Sequence, residues 1–210
     1  MMSRGILTVV SGFSGAGKGT LMKALMSQYD NYALSISCTT RKPREGEVDG
    51  VHYFYKTKEE FEAMIAENGF LEHAQYVGNY YGTPKAYVEE MLEQGKDVIL
   101  EIEIQGALNV RNLVPDVLLL FVTPPSAEEL ERRLVSRGTE TPEVIRSRMD
   151  RAVEEAEFMD RYDYLVINDD LDTCVKEMHE LIQAQKNRTS SRQEMIDKMK
   201  KELKVRKENA

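Results

Sequence analysis

The stretch Ser11–Leu21, SGFSGAGKGTL, decides the fold, together with the apolar run Ile6–Val10 before it and the amphipathic segment Lys18–Tyr29 after it. A buried strand, a glycine-rich turn and a lysine at the start of a helix form the setting in which a P-loop works. Glycines let successive N–H groups converge on one phosphate with no Cβ in the way, and the helix N-terminus adds a favourable potential for an anion. Lys18 brings a mobile point charge for the outer phosphates of a nucleoside triphosphate. Gly12, Phe13, Ser14, Gly15, Ala16, Gly17, Lys18, Gly19 and Thr20 therefore read as the donor site. Gly19 stands where Ser or Thr usually ligates Mg²⁺, and Phe13 where such loops often carry Pro or a small residue. Either the ion is held through waters and nucleotide oxygens, which Mg²⁺ tolerates, or Thr20 substitutes. The loop holds a phosphate but does not say what receives it.

Composition narrows the field. A chain of 210 residues, 41% hydrophobic and 30% charged, can bury one sizeable core with smaller segments attached. Its net charge of −8 is unevenly spread. From Gln185 onward there are nine Lys or Arg against four Asp or Glu, while the rest carries nineteen against thirty-two. An acidic body argues against nucleic acid as a partner, because phosphate neutralisation drives that binding. Cys38 and Cys174 form no framework and read as packed thiols of a reducing compartment, and His52, His73 and His179 lack metal-ligand spacing. Ile6–Val10 is too short for a signal sequence, and the longest apolar run, Val117–Val122, suits a buried strand rather than a bilayer span. A cytoplasmic protein without membrane contact is expected.

Strands and helices alternate along the chain. Strands are expected at Ile6–Gly12, Tyr32–Ser37, Lys96–Ile104, Asp116–Thr123 and Tyr164–Asn168, with helices between them, which gives a parallel sheet flanked by helices, an α/β fold of the P-loop NTPase type. Between Ser37 and Glu90 the pattern changes to an α+β insertion, with strands at Val51–Lys56 and Phe70–Val77 around a helix that Thr57 and Glu60 cap as a box. Ser126 and Glu129 suggest a second capping box, and Thr141-Pro142 starts a further helix. The expected division is a core of residues 1–36, 91–127 and 151–210, an acceptor segment 37–90 and a helical lid 128–150. From Leu171 the chain is helical, and the stripe Met195, Met199 and Leu203 reads as a helical extension lying on the body.

The acceptor is suggested by Ser37–Tyr55, SCTTRKPREGEVDGVHYFY, and Gly78–Pro84, GNYYGTP. Arg41 and Arg44 flank a proline in a turn-rich loop, where two guanidinium groups repel unless an anion sits between them. Tyr53 and Tyr81 can each add a hydroxyl. Taken alone, a solvated basic loop with core tyrosines fits as well. Further on, Arg133 and Arg137 stand four apart on one helix, where like charges cost about 0.2–0.5 kcal/mol, and Arg146 and Arg148 follow. Pairing with neighbouring glutamates such as Glu128, Glu131 and Glu143 would also explain them.

The segments GFSGAGKGT, TTRKPREGEVDGVHYFY, FLEHAQYVGNYYGTP, PPS, SRGTET and VINDD stand in the order found in guanylate kinases, and between about Ile6 and Ala184 the chain resembles that family. The resemblance implies phosphoryl transfer from Mg-ATP to GMP, with dGMP a further acceptor. It implies that Arg41, Arg44, Tyr53 and Tyr81 hold the GMP phosphate and that Ser37, Glu72, Thr83 and Glu103 meet the guanine. Carboxylates suit that base, since guanine offers N1–H and N2–H₂ donors where adenine has a lone pair at N1. Glu103 and Thr83 replace the family's frequent Asp and Ser, and Thr83 could equally cap the helix after Pro84. Arg133, Arg137 and Arg148 match lid arginines and, with Lys18 and Arg41, form the implied catalytic set. Asn168 matches a residue near the ATP adenine, and Glu101 lies where a carboxylate orients metal-bound water. The implied partners are ATP and GMP, in a monomer or a homodimer. A kinase for another monophosphate fits Glu72 and Glu103 poorly. A binding module without activity fits poorly with so complete a set of cations, and a GTPase switch would need an NKxD motif.

Overall fold

Apolar strands and amphipathic helices alternate as their hydrophobic periods require. The structure, a computed structural model, describes residues 4–76, 78–136, 138 and 141–208. Along the chain these form β1 (Leu7–Gly12), α1 (Lys18–Gln28), β2 (Tyr32–Leu34), β3 (Cys38–Thr39), β4 (Phe54–Tyr55), α2 (Lys58–Ala66), β5 (Phe70–Tyr76), β6 (Asn79–Pro84) and α3 (Lys85–Glu93). There follow β7 (Asp97–Glu101), α4 (Ile104–Leu113), β8 (Leu118–Thr123), α5 (Ala127–Ser136), α6 (Pro142–Ala156), β9 (Tyr164–Ile167), α7 (Leu171–Gln185) and α8 (Gln193–Glu208).

Among the described residues the strands make two sheets. The first runs in the order β2-β7-β1-β8-β9, and every neighbouring pair is parallel. Its strands are apolar on both faces because helices cover both. On one side Val10, Leu118, Leu120 and Val122 pack with α1, α5 and α7, and on the other Val9, Val98, Leu100 and Leu119 pack with α3 and α4. The second sheet, β4-β3-β6-β5, is mixed. It has a small core of its own, in which Phe61 of α2 stacks on Phe70 and Tyr80 at 4.4 and 5.2 Å between ring centres.

Several expected boundaries move for local reasons. β2 stops at Leu34, and β4 is only Phe54–Tyr55, because side chains fold the chain just before it into a turn. Val48 N–H donates to His52 Nδ1 at 3.0 Å, Tyr55 N–H donates to Asp49 Oδ1 at 2.8 Å, and Val51 is left 62% exposed. The capping box at Thr57 and Glu60 forms in full. At Ser126 only half forms: Glu129 N–H donates to the Ser126 hydroxyl, but the Glu129 carboxylate turns to Arg132 and Arg133. Thr83 caps nothing, since it lies inside β6 with Pro84 at the N-cap of α3.

The terminal stripe does not lie on the body. Met195 is 60% exposed and Leu203 58%, and no residue of α8 is buried. The short 3₁₀ turn Ser190–Arg192, tied by Arg192 to the Asn187 side chain, separates α8 from α7.

Behind the sheet Asp97 is the main tie. Its fully buried carboxylate accepts from Ile6 N–H at 2.9 Å, Asn31 Nδ2 at 2.8 Å, Gln183 Nε2 at 2.9 Å and Lys186 Nζ at 2.8 Å. It joins β7, the start of β1 and the end of α7. Asp97→Ala leaves these donors unmatched and is expected to lower the unfolding free energy by about 2–3 kcal/mol, as urea denaturation would measure.

Candidate active site

The glycine-rich turn follows β1 at the C-terminal end of the sheet, where α/β folds bind ligands. Gly12 must be glycine: its φ is +148°, and a Cβ there would lie 2.0 Å from the Val122 carbonyl oxygen of β8. Phe13 points its ring into the core, 8% exposed and edge-on to Phe121 at 5.0 Å, so it anchors the loop from beneath. Asn168, buried after β9, donates from Nδ2 to the Ala16 carbonyl at 2.8 Å and pins the loop from behind. Lys18 Nζ folds back onto the carbonyls of Gly12 and Phe13 at 2.7 and 3.1 Å. Gly19 and Thr20 face solvent in the first turn of α1.

A cavity of about 470 Å³ opens at this loop, lined by Gly12, Ser14 and Lys18, by Glu101–Ile104 at the end of β7, and by Ser147, Arg148, Arg151 and Glu155 of α6. Arg148 reaches across to the Ser14 hydroxyl and links α6 to the loop. Arg133 stays on its own helix, donating from Nε to Glu129 Oε1 at 2.6 Å, so Glu129 rather than Glu128, Glu131 or Glu143 is its partner. The Glu129 carboxyl is held down to about 2, chiefly by hydrogen bonds from Arg132 and then Arg133. Arg137 lies outside the described residues.

On the second sheet Arg41, Tyr53 and Tyr81 gather in one cluster. The Arg41 guanidinium lies 5.4 Å from the centre of the Tyr53 ring, and the rings of Tyr53 and Tyr81 are 6.1 Å apart. Arg41 forks onto Glu47 with two bonds of 2.9 and 2.8 Å, and Arg44 gives Glu47 its backbone N–H at 2.7 Å while its side chain stays exposed. Ser37 is half-buried just before β3, and its carbonyl accepts from Phe54 N–H at 2.9 Å. Buried Thr83 donates its hydroxyl to Glu72 Oε1 at 2.7 Å. Burial pushes the Glu72 carboxyl above the usual range, against the bonds from Thr83. The other oxygen of Glu72 lies against α4, 3.3 Å from where a Cβ at Gly106 would sit. Glu103 is the N-cap residue of that helix, so Glu72 and Glu103 both stand at its first turn.

Comparison with known proteins gives this arrangement a family. Residues 4–185 match the family model for guanylate kinase. A guanylate kinase of Bacillus subtilis is 56% identical over 186 residues, covering 88% of this chain and 91% of that protein. One from Clostridium perfringens is 50% identical over 207 residues, covering 99% and 93%. The solved guanylate kinase of Anaplasma phagocytophilum superposes with a TM-score of 0.67 at 30% identity, covering 89% of each chain. The chain belongs to the guanylate kinase family.

Beyond the expected residues, four more side chains of this family member stand at the cavity and the acceptor loop: Glu47, Tyr55, Arg151 and Glu155. Glu47 carried a usable signal, an acid three residues after Arg44 in a turn, and Tyr55 donates its hydroxyl to it at 2.8 Å. Bonds from Arg41 first, and then from the Arg44 backbone, hold the Glu47 carboxyl down to about 2. An unfolded glutamate titrates near 4.3, so the pair supports the folded loop fully above about pH 4.3 and is lost as the pH falls toward 2. A ¹³C titration of the Glu47 side-chain carboxyl is expected to show a midpoint near 2. In Arg41→Ala the midpoint should return toward the ordinary glutamate value.

Proposed function

We propose that this member of the guanylate kinase family transfers the γ-phosphoryl group of ATP to GMP, and to dGMP, between the glycine-rich loop and the first turn of α4. The observation that carries this reading is the position of Glu103: it heads α4, whose first turn Glu72 also reaches, and it lines the same cavity as Lys18. Groups suited to a guanine edge thus stand beside a cation suited to a triphosphate.

In this mechanism the triphosphate draws Lys18 Nζ from the carbonyls of Gly12 and Phe13, while the loop N–H groups from Ser14 to Thr20 cradle the phosphates. Arg148, already at Ser14, closes over them with Arg133 and Arg137, neutralising charge on the equatorial oxygens. Arg41, Arg44, Tyr53 and Tyr81 hold the GMP phosphate, whose own anionic oxygen is the nucleophile, so no general base has to deprotonate it. Glu72 and Glu103 accept from N1–H and N2–H₂, with Ser37 and Thr83 completing the base site. Asn168 contributes by holding the loop against the adenine side.

Bound with ATP, Mg²⁺ would supply positive charge against the triphosphate. Glu101 fits the ion through water, as an exposed carboxylate lining the cavity beside Lys18, whereas Thr20 is not among the lining residues.

Residues 37–90 act as the acceptor segment and 128–150 as the lid, moving over the core of 1–36, 91–127 and 151–210. No described helix is long and apolar enough to cross a membrane, and we place the enzyme in the cytoplasm as a monomer or homodimer.

With Mg-ATP and separate nucleoside monophosphates, an ADP-release assay is expected to show turnover with GMP and dGMP and none with AMP, CMP, UMP or dTMP. Lys18→Met should lower kcat by about 10²–10³-fold, the scale for losing one preorganised donor. Glu72→Gln should lower kcat/KM for GMP by about 10–100-fold, the scale of one hydrogen bond to a charged group. Turnover of AMP in place of GMP would overturn the assignment of Glu72.

A further inference from the structure

Arg151 has no part in the mechanism above, yet it touches the most telling residue of the cavity. It follows Arg148 by three positions on α6, so both side chains leave the same face of the helix. Arg148 goes to Ser14 on the glycine-rich loop. Arg151 goes the other way: its Nη2 lies 2.5 Å from Glu103 Oε2 at the head of α4. Its Nε is held from behind by Glu155 Oε1 at 2.9 Å, and Glu155 is itself only 17% exposed. The arginine is therefore aimed at Glu103 by its own helix. Helix α6 thus grips the cavity at two points, the donor loop through Arg148 and the base-reading carboxylate through Arg151.

Two consequences follow from charge. A carboxylate bonded to a guanidinium is a weaker acceptor for a neutral guanine N–H, because part of its charge is already matched. The bond also holds α6 down on the cavity before the base arrives. We infer that Arg151 is a positioning residue that latches α6 to Glu103, and that GMP must displace it to reach that carboxylate. The latch rests on Glu103 being a guanine contact. Specificity gains from it as well: a base with no donors facing Glu103 cannot displace the arginine, whereas guanine can.

The size of the effect is bounded. The pair is 52% and 75% exposed, and pairs of that kind contribute little, so its removal is worth a few-fold in affinity. Calorimetric titration of GMP into the whole chain is the test, with thermal unfolding confirming that each variant is folded. Arg151→Ala is expected to bind GMP about 3–5-fold more tightly than the parent, and Arg151→Lys to restore most of the parent affinity. Raising the salt concentration should narrow the gap between parent and Arg151→Ala, since an exposed pair is screened. Glu103→Gln should weaken GMP binding, and adding Arg151→Ala to it should give no further gain.

Equal or weaker GMP binding by folded Arg151→Ala, with Glu103→Gln still weakened, would overturn the latch and leave the base site standing. Unchanged binding by Glu103→Gln would instead remove Glu103 from the base site, and the latch with it.

Discussion

A cleft that neutralises several phosphates has to hold cations close together before the phosphates come. That electrostatic constraint shapes this protein more than any single contact. Among the described residues, three of these cations have an internal partner: Lys18 lies on the loop carbonyls, Arg133 on Glu129 and Arg41 on Glu47, and beside them Arg151 lies on Glu103. The partners differ in strength. Glu47 binds Arg41 by a two-pronged fork at 16% and 18% exposure, while the Arg151–Glu103 pair is open to water. The first also shapes its loop, and the second is the easier to exchange.

The apolar framework allows this arrangement without collapsing around it. Parallel strands covered on both faces place the ends of β1 and β7 side by side, so Gly12 and Glu101 enter one cavity. Phe13 and Asn168 fix the loop from below and behind, so that its N–H groups stay in place while Lys18 can move. Far from the cavity, Asp97 joins the start of β1 to β7 and α7. Rigid strands and exchangeable ion pairs therefore divide the work of the site between them.

How much of this the sequence disclosed depended on the range of the interaction. The glycine-rich turn was legible because its chemistry is local: Gly12 to Lys18 form a continuous run between a strand and a helix. The α/β class was legible for the same reason, through apolar strands alternating with amphipathic helices. Arg41 and Arg44 point to an anion and Glu47 stands close by in sequence, but its fork onto Arg41 forms only in the folded turn. Arg151 gave no signal at all, because Glu103 lies 48 residues away and meets it only when α6 crosses the cavity. The course of α8 is not legible in sequence, because a stripe such as Met195, Met199 and Leu203 says that a face is apolar, not what it meets.

The central claim is that the phosphates of the two nucleotides take over cations that internal groups now occupy. A crystal structure with GMP and a non-hydrolysable ATP analogue tests it directly. The GMP phosphate is expected on Arg41 between Tyr53 and Tyr81, the guanine edge on Glu72, and Lys18 drawn from the Gly12 and Phe13 carbonyls to the β- and γ-phosphates. A structure in which GMP binds away from Arg41, with Lys18 still on those carbonyls, would contradict it.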